Sequence, residues 1–220
     1  MGVSRYEPQH SSWFTSGYLW PTGAGKSTLL DLMMGLLDPS QGVVLVDGMD
    51  LKESWVRRRW FSRIAHVPQN IFLFDDTLEE NIVFGRARAS DHQDRLSQVC
   101  EIAMLDEFLA RLPMGLQTVV GERGIRLSGG QRQRVGIARA LYKKADVLIF
   151  DEATSHLDEA TEAELLQRLF SSLREVTVIF VTHRPSVLRF VDVTINLNPH
   201  EKSLIHINQT FAESVAMIKV

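Results

Sequence analysis

The stretch Gly23-Ala24-Gly25-Lys26-Ser27-Thr28 decides the fold of this chain. Its glycines let the backbone curl until successive N–H groups point at one anion. Leu29, Leu32, Met33 and Leu36 follow at helical spacing, so a helix begins here and adds the positive end of its dipole. Lys26 suits the β- and γ-phosphates of a nucleotide, and Ser27 suits Mg2+. The full phosphate-loop pattern asks for glycine at position 20, where this chain has Trp20. A Gly-rich turn with a chance Gly-Lys-Ser-Thr is the reading that the rest of the sequence must exclude.

Two distant segments exclude it. Val147-Leu148-Ile149-Phe150 is an apolar strand ending in Asp151-Glu152. Acidic residues at the carboxyl end of a strand lie where open α/β sheets bind ligands. Asp151 would hold Mg2+ through water, and Glu152 would polarise an attacking water as general base. The second segment is Leu127-Ser128-Gly129-Gly130-Gln131-Arg132-Gln133-Arg134, leading into a helix over Val135–Tyr142. Ser128 is a good N-cap, and the glycines allow an anion close to the backbone. One nucleotide needs one such cradle, so the second serves a nucleotide held by another subunit. An ordinary capped helix start does not explain two adjacent glycines, which cost helix stability.

Four apolar runs read as buried strands: Val43–Val46, Ile64–Val67, Val147–Phe150 and Val176–Val181. Helix-period stretches separate several of them, which gives a sheet with parallel members. Asp47-Gly48 after Val46 signals a hairpin, so part of the sheet is antiparallel. Helical stripes recur at Leu96, Val99, Cys100 and Ala103, at Leu105, Phe108, Leu109 and Leu112, and at Leu166, Leu169, Phe170 and Leu173. Thr77 with Glu80 forms a capping-box pattern, and residues 77–127 read as a mostly helical insert. The tail reads as a hairpin turning at Asn198-Pro199, then a short helix. The first 20 residues hold no clear strand.

Composition narrows the function. Lys and Arg total 24 against 27 Asp and Glu, so the net charge of −3 offers no basic footprint for nucleic acid. A single cysteine, Cys100, excludes an internal disulfide framework and lies on an apolar stripe as a core residue. No apolar run approaches the roughly 18–20 residues that span a bilayer. His66, His92, His200 and His206 carry no motif. Trp55, Trp60, Phe72 and Phe74 suit either the core or a surface that meets a membrane domain. Arg57-Arg58-Arg59 reads as a solvated helix face.

Taken in order, these motifs resemble the nucleotide-binding domain of ATP-binding cassette (ABC) transporters over roughly residues 21–197. Leu127–Gln131 is similar to that family's signature motif, and Val147–Ser155 to its Walker B segment. Ser155-His156-Leu157-Asp158 resembles the D-loop, with His156 where a small residue is usual. Gln69 resembles the Q-loop glutamine, and His183 the switch histidine. Val120-Gly121-Glu122-Arg123-Gly124 resembles the X-loop of exporters, as does the stretch from Gln69 to Ile82.

The resemblance implies an α/β fold: a P-loop NTPase core with a mixed, mainly parallel sheet, a helical subdomain about 77–135 and a reduced antiparallel β subdomain. It divides the chain into an atypical segment 1–20, an ATPase domain 21–198 and a tail 199–220. ATP and Mg2+ are the implied cofactors. Gly23, Ala24, Gly25, Lys26, Ser27 and Thr28, with Ser128, Gly129, Gly130, Gln131 and Asp158, would bind nucleotide. Ser27, Gln69 and Asp151 would serve the metal, and Glu152, His183 and Gln69 the reaction. The implied partners are a second such domain, head to tail, and transmembrane domains at the cytoplasmic side of the cell membrane, with no nucleic acid. The alternatives are a truncated or inactive fragment, a non-transport ABC ATPase, a module that binds ATP without turnover, and a simple P-loop kinase or GTPase. The length of chain before Gly23 is short for the family's first strands and its adenine-stacking aromatic, which favours the fragment among these alternatives.

Overall fold

The computed structural model describes residues 15–19, 25–121, 124, 126–173, 176–196 and 205–206. Its strands are β1 (Thr15–Leu19), β2 (Leu45–Val46), β3 (Met49–Asp50), β4 (Ile64–Val67), β5 (Val147–Asp151), β6 (Thr177–Thr182), β7 (Val193–Asn196) and β8 (Ile205–His206). Its helices are α1 (Lys26–Met34), α2 (Ser54–Arg63), α3 (Leu78–Val83), α4 (His92–Ile102), α5 (Asp106–Ala110), α6 (Gly129–Tyr142), α7 (Glu159–Ser172) and α8 (Pro185–Leu188), with a 3-10 turn at Gly115–Gln117. A 6-stranded sheet runs β4-β5-β6-β1-β7-β8, and β2 with β3 makes a separate hairpin. Every pairing in the large sheet is parallel except that of β7 with β8.

Period-2 alternation sends the strand side chains to two faces. Leu148 and Phe150 of β5 enter the larger core, with residues of α3, α4, α6 and α7. Ile149, between them, packs on the opposite face against Leu30, Met33 and Met34 of α1. Phe150 stacks on Phe180 of β6, with ring centroids 4.6 Å apart. Trp60 of α2 closes the second face and donates Nε1–H to the Met33 carbonyl at 2.9 Å. The segment after β4 is folded by buried Asn81. Its side chain accepts from Phe74 N–H at 2.9 Å and donates to the Phe74 and Thr77 carbonyls.

Several expectations change. The reading of residues 1–20 as lacking a strand is corrected: β1 lies inside the sheet, flanked by β6 and β7. Thr-Ser-Gly-Tyr-Leu has little apolar pattern, but two parallel neighbours satisfy its backbone, and Gly17 is buried. Val43–Val46 is not a buried strand. The strand proper is only Leu45–Val46, paired with β3, and Val43 and Leu45 are 45% and 37% exposed. The turn at Asp47-Gly48 is as expected, with φ of 50° and 75°. The first helix stops at Met34, because Gly35 turns left-handed at φ 73° and leaves Leu36 exposed. Thr77 caps α3 by accepting from Glu80 N–H at 3.1 Å, but the Glu80 carboxylate pairs with Arg88 and leaves the box half made. The stripe at Leu105–Leu112 yields only the short α5.

β7 and β8 pair antiparallel, as a turn at Asn198-Pro199 requires. That turn, the C-terminal helix, Trp20, Gly23, Ala24, Glu122 and Arg123 lie outside the described residues.

Cys100 is a core residue, and burial pushes its thiol up to about 12. The folded chain should therefore resist alkylation at pH 8 and label fully in denaturant. Rapid labelling of the native chain, followed by mass spectrometry, would contradict this burial.

Candidate active site

Parallel strands place their carboxyl ends on one edge of the sheet. Gly25–Thr28 begins the helix that follows β1, Gln69 lies two residues past β4, Asp151 ends β5 with Glu152 next, and His183 follows β6. These segments meet at one carboxylate. Lys26 Nζ lies 2.7 Å from Glu152 Oε1 and 3.1 Å from Asp151 Oδ1. Gln69 donates Nε2–H to Glu152 Oε2 at 2.7 Å. His183 Nδ1 stands 3.7 Å from Glu152 Oε1, beyond a hydrogen bond. Glu152 has a φ of 48°, a conformation that costs a non-glycine residue free energy and that clusters at functional sites.

Burial alone would push the Glu152 carboxyl up. The hydrogen bond and charge of Lys26, with a smaller contribution from His183, outweigh it and hold the carboxyl below its ordinary value. For Lys26 burial works downward, and the bonds and charges of Glu152 and Asp151 overcome it, leaving the ammonium above its ordinary value. Both groups are charged at neutral pH.

The start of α1 suits an anion. Gly25 precedes it at φ 85°, no side chain caps it, and its first turn carries no acidic residue. Its leading N–H groups therefore have no partner within the helix. The residues present also fit Mg2+, a cation that takes few protein ligands. Asp151 Oδ1 is buried and has no hydrogen bond besides the Lys26 ion pair. Ser27 adds an exposed hydroxyl in the first turn of α1, and Gln69 an amide oxygen. Among the described residues no cluster of three His, Cys, Asp or Glu suggests another metal site.

Other anticipated residues stand apart. Among the described residues no hydrogen bond or ion pair joins Ser128–Gln131 to Lys26, Asp151 or Glu152. Ser128 and Gln131 instead form a full capping box on α6: Ser128 Oγ accepts from Gln131 N–H at 3.2 Å, and Gln131 Oε1 accepts from Ser128 N–H at 2.8 Å. The glycines between them have a packing reason as well. A Cβ on Gly129 would lie 2.9 Å from the His156 ring, and one on Gly130 would lie 3.0 Å from Leu157. Asp158 caps α7, accepting from Thr161 N–H at 3.0 Å.

Sequence reading passes over Gln133. This buried side chain donates to Ser155 Oγ at 3.0 Å and to the Glu152 carbonyl at 3.4 Å, and accepts from His156 N–H at 3.0 Å. The available signal is a polar residue three and four positions before Gly136 and Ile137, on the buried face of α6. Arg184 and Glu162 are also passed over.

Residues 17–155 match the family described as ABC transporter. The chain is 44% identical over 178 residues to an uncharacterized ABC transporter ATP-binding protein of Sinorhizobium fredii, covering 81% of this chain and 30% of that protein. It is 43% identical over 179 residues to the mitochondrial iron-sulfur clusters transporter ATM1 of Candida glabrata, covering 80% and 24%. It is 44% identical over 180 residues to the mycobactin import ATP-binding/permease protein IrtB of Mycolicibacterium smegmatis, covering 81% and 30%. A solved bacterial Atm1-family ABC exporter with ATP bound superposes with a TM-score of 0.80 at 38% identity, over 86% of this chain and 33% of that one. The chain thus spans less than a third of the length of these curated relatives.

The Lys26–Glu152 pair gives the stability of the nucleotide-free chain a defined pH dependence. Glu152, held low, contributes above its ordinary carboxylate value and loses that contribution as pH falls through the lowered one. Lys26, held high, contributes fully below its ordinary value and loses that contribution as pH rises through the raised one. Lys26→Met should flatten the fall in urea midpoint below about pH 5. An acid limb identical to that of the unmodified chain would contradict the pairing.

Proposed function

We propose that this chain, which belongs to the ABC transporter family, hydrolyses ATP at the Lys26–Gln69–Asp151–Glu152–His183 site to drive an exporter-type transporter. The observation that carries this reading is the convergence of Lys26, Gln69 and His183 on the Glu152 carboxylate. A chain that only held nucleotide would not need an ionised carboxylate hydrogen-bonded to an amide beside the phosphate site.

Phosphates bind at the uncapped start of α1, where Lys26 exchanges its carboxylate partners for phosphate oxygens. That exchange removes the main charge holding the Glu152 carboxyl low. The carboxylate becomes a stronger base while Gln69 keeps it oriented. Glu152 then accepts a proton from the attacking water, and His183 donates a hydrogen bond to the γ-phosphate. Ser27 and Asp151, with Gln69 beside them, would hold Mg2+, which would supply positive charge to the phosphates.

The Ser128–Gln131 helix start faces a second domain and closes over the ATP held there, so that two ATPs join a head-to-tail pair. Coupling to the transmembrane part runs through the segment after Gln69. Phe72, Phe74 and Phe84 are exposed there and touch one another, with centroid separations of 5.3 and 5.5 Å. Arg139 of α6 holds them from below, donating to the Phe72 carbonyl at 3.0 Å and lying over the Phe84 ring. An aromatic patch so close to the Q-loop glutamine suits a transmembrane domain that senses the nucleotide. Among the described residues no helix is long and apolar enough to cross a membrane. The site lies on the cytoplasmic side of the membrane. Relatives named for iron-sulfur clusters and for mycobactin both match this domain, which supports a cargo choice made in the transmembrane part.

Glu152→Gln should lower phosphate release from Mg-ATP at least ~100-fold. It should also convert the chain to an ATP-dependent dimer by light scattering. A mutant that hydrolyses ATP at the unmodified rate would remove Glu152 as the base.

A further inference from the structure

Next to the site lies a buried polar cluster that the hydrolytic reading leaves unused. Its centre is Glu162 on the first turns of α7, 1% exposed. Glu162 Oε1 accepts from Thr154 Oγ1 at 2.5 Å and from Arg184 Nη1 at 3.2 Å, and Oε2 accepts from Ser186 Oγ at 2.6 Å. The Arg184 fork reaches further. Nη1 donates to the Leu157 carbonyl at 3.1 Å, and Nη2 to the Ser155 carbonyl at 2.8 Å. Arg184 N–H also donates to Thr182 Oγ1 at 3.0 Å. Glu152 lies two residues before Thr154, and His183 stands between Thr182 and Arg184.

We propose that Glu162 is a positioning residue for hydrolysis: with Arg184 it clamps the turn carrying His183 onto the turn that follows Glu152. The inference rests on the reading of Glu152 and His183 as parts of an ATPase site. Among the described residues His183 has only a loose partner: its side chain is 61% exposed and stands 3.7 Å from Glu152, beyond a hydrogen bond. Its direction is therefore set by the backbone of residues 182–184, and the cluster fixes that backbone on both sides. The chemistry favours orientation over packing. A buried ion pair gains little stability over an apolar pair of the same volume, whereas a planar guanidinium fork imposes direction. One carboxylate and one fork here join Thr154, Ser155 and Leu157 to Arg184 and Ser186. Gln133 holds the same Ser155–His156 turn from α6. The helix start at Ser128 and the histidine at 183 are thus braced against one turn from opposite sides.

The test compares Glu162→Gln and Arg184→Lys, each alone and with His183→Ala. Alone, each should lower kcat for Mg-ATP about tenfold and leave KM within about twofold, because Lys26 and Ser27 are untouched. With His183→Ala they should lower the residual kcat no further. Equal losses with and without His183 would make the cluster merely structural and overturn the proposal, as would an unchanged kcat in both variants. A second readout needs no turnover. In spectra of histidine-labelled chain without nucleotide, the His183 ring signal, identified by its loss in His183→Ala, should move in both variants while that of His66 stays. An unmoved His183 signal overturns the proposal whether or not the chain hydrolyses ATP. A chain that hydrolyses no ATP but shows the shift overturns the functional reading alone. Should Glu162→Gln fail to fold, Arg184→Lys carries both measurements.

Discussion

Everything at the site depends on parallel strands ending in line. Glu152 is reached by Lys26 from after β1, by Gln69 from after β4 and by His183 from after β6, while Gln133 of α6 holds its carbonyl. Contacts between residues this distant in sequence need a register fixed by ladder hydrogen bonds. The ladder places Asp151 level with Val181 and Val67 level with Phe150. A slip of one residue would reverse the faces and carry Ile149 into the wrong core. The apolar alternation of β5 is thus also the alignment of the carboxylates. The same geometry sets two acidic residues side by side at a strand end, partly buried. Lys26 offsets that repulsion through its pairs with Asp151 and Glu152.

The helical insert is tied to this edge by polar contacts as well as by apolar packing. His92 of α4 bridges the Tyr142 hydroxyl at 2.7 Å and the Glu79 carboxylate at 3.1 Å. Gln117 donates to Glu79 from the 3-10 turn at 2.8 Å. Tyr142 ends α6, whose other end carries Ser128–Gln131, and Glu79 lies in α3 beside the exposed phenylalanines. A displacement of the aromatic patch therefore reaches α6 through groups that lose hydrogen bonds if they separate, in a surround where an unpaired polar group is costly.

The candidate site residues were legible in the sequence because each is of a type that its proposed chemistry needs. A lysine after a Gly-rich loop, acids after an apolar strand and a histidine after another strand carry their meaning in order alone. The strands with apolar runs were legible for the same reason. β1 was not, since Thr-Ser-Gly-Tyr-Leu takes its place from two neighbours that lie over 150 residues further along the chain. Gln133, Glu162 and Arg184 were hidden for a related reason. Each is an ordinary polar residue on a helix or turn until the fold buries it against a distant loop. His92 belongs with them: without the partners on α3 and α6 it is one histidine among several.

The glycines at 129 and 130 meet a packing demand that their sequence reading did not include. Read from sequence, they open the helix start to an anion. In the structure their missing side chains are where His156 and Leu157 pack. The two readings describe opposite sides of the same turn. The start of α6 packs through these glycines against His156 and Leu157, while Ser128 stays exposed. His156 makes this pressing tighter than a small residue would, because its ring occupies the space above Gly129. The His156 ring is thus accommodated by the missing side chain of Gly129. Whatever moves the D-loop must move the helix start with it, through the His156 ring on one face and Gln133 on the other.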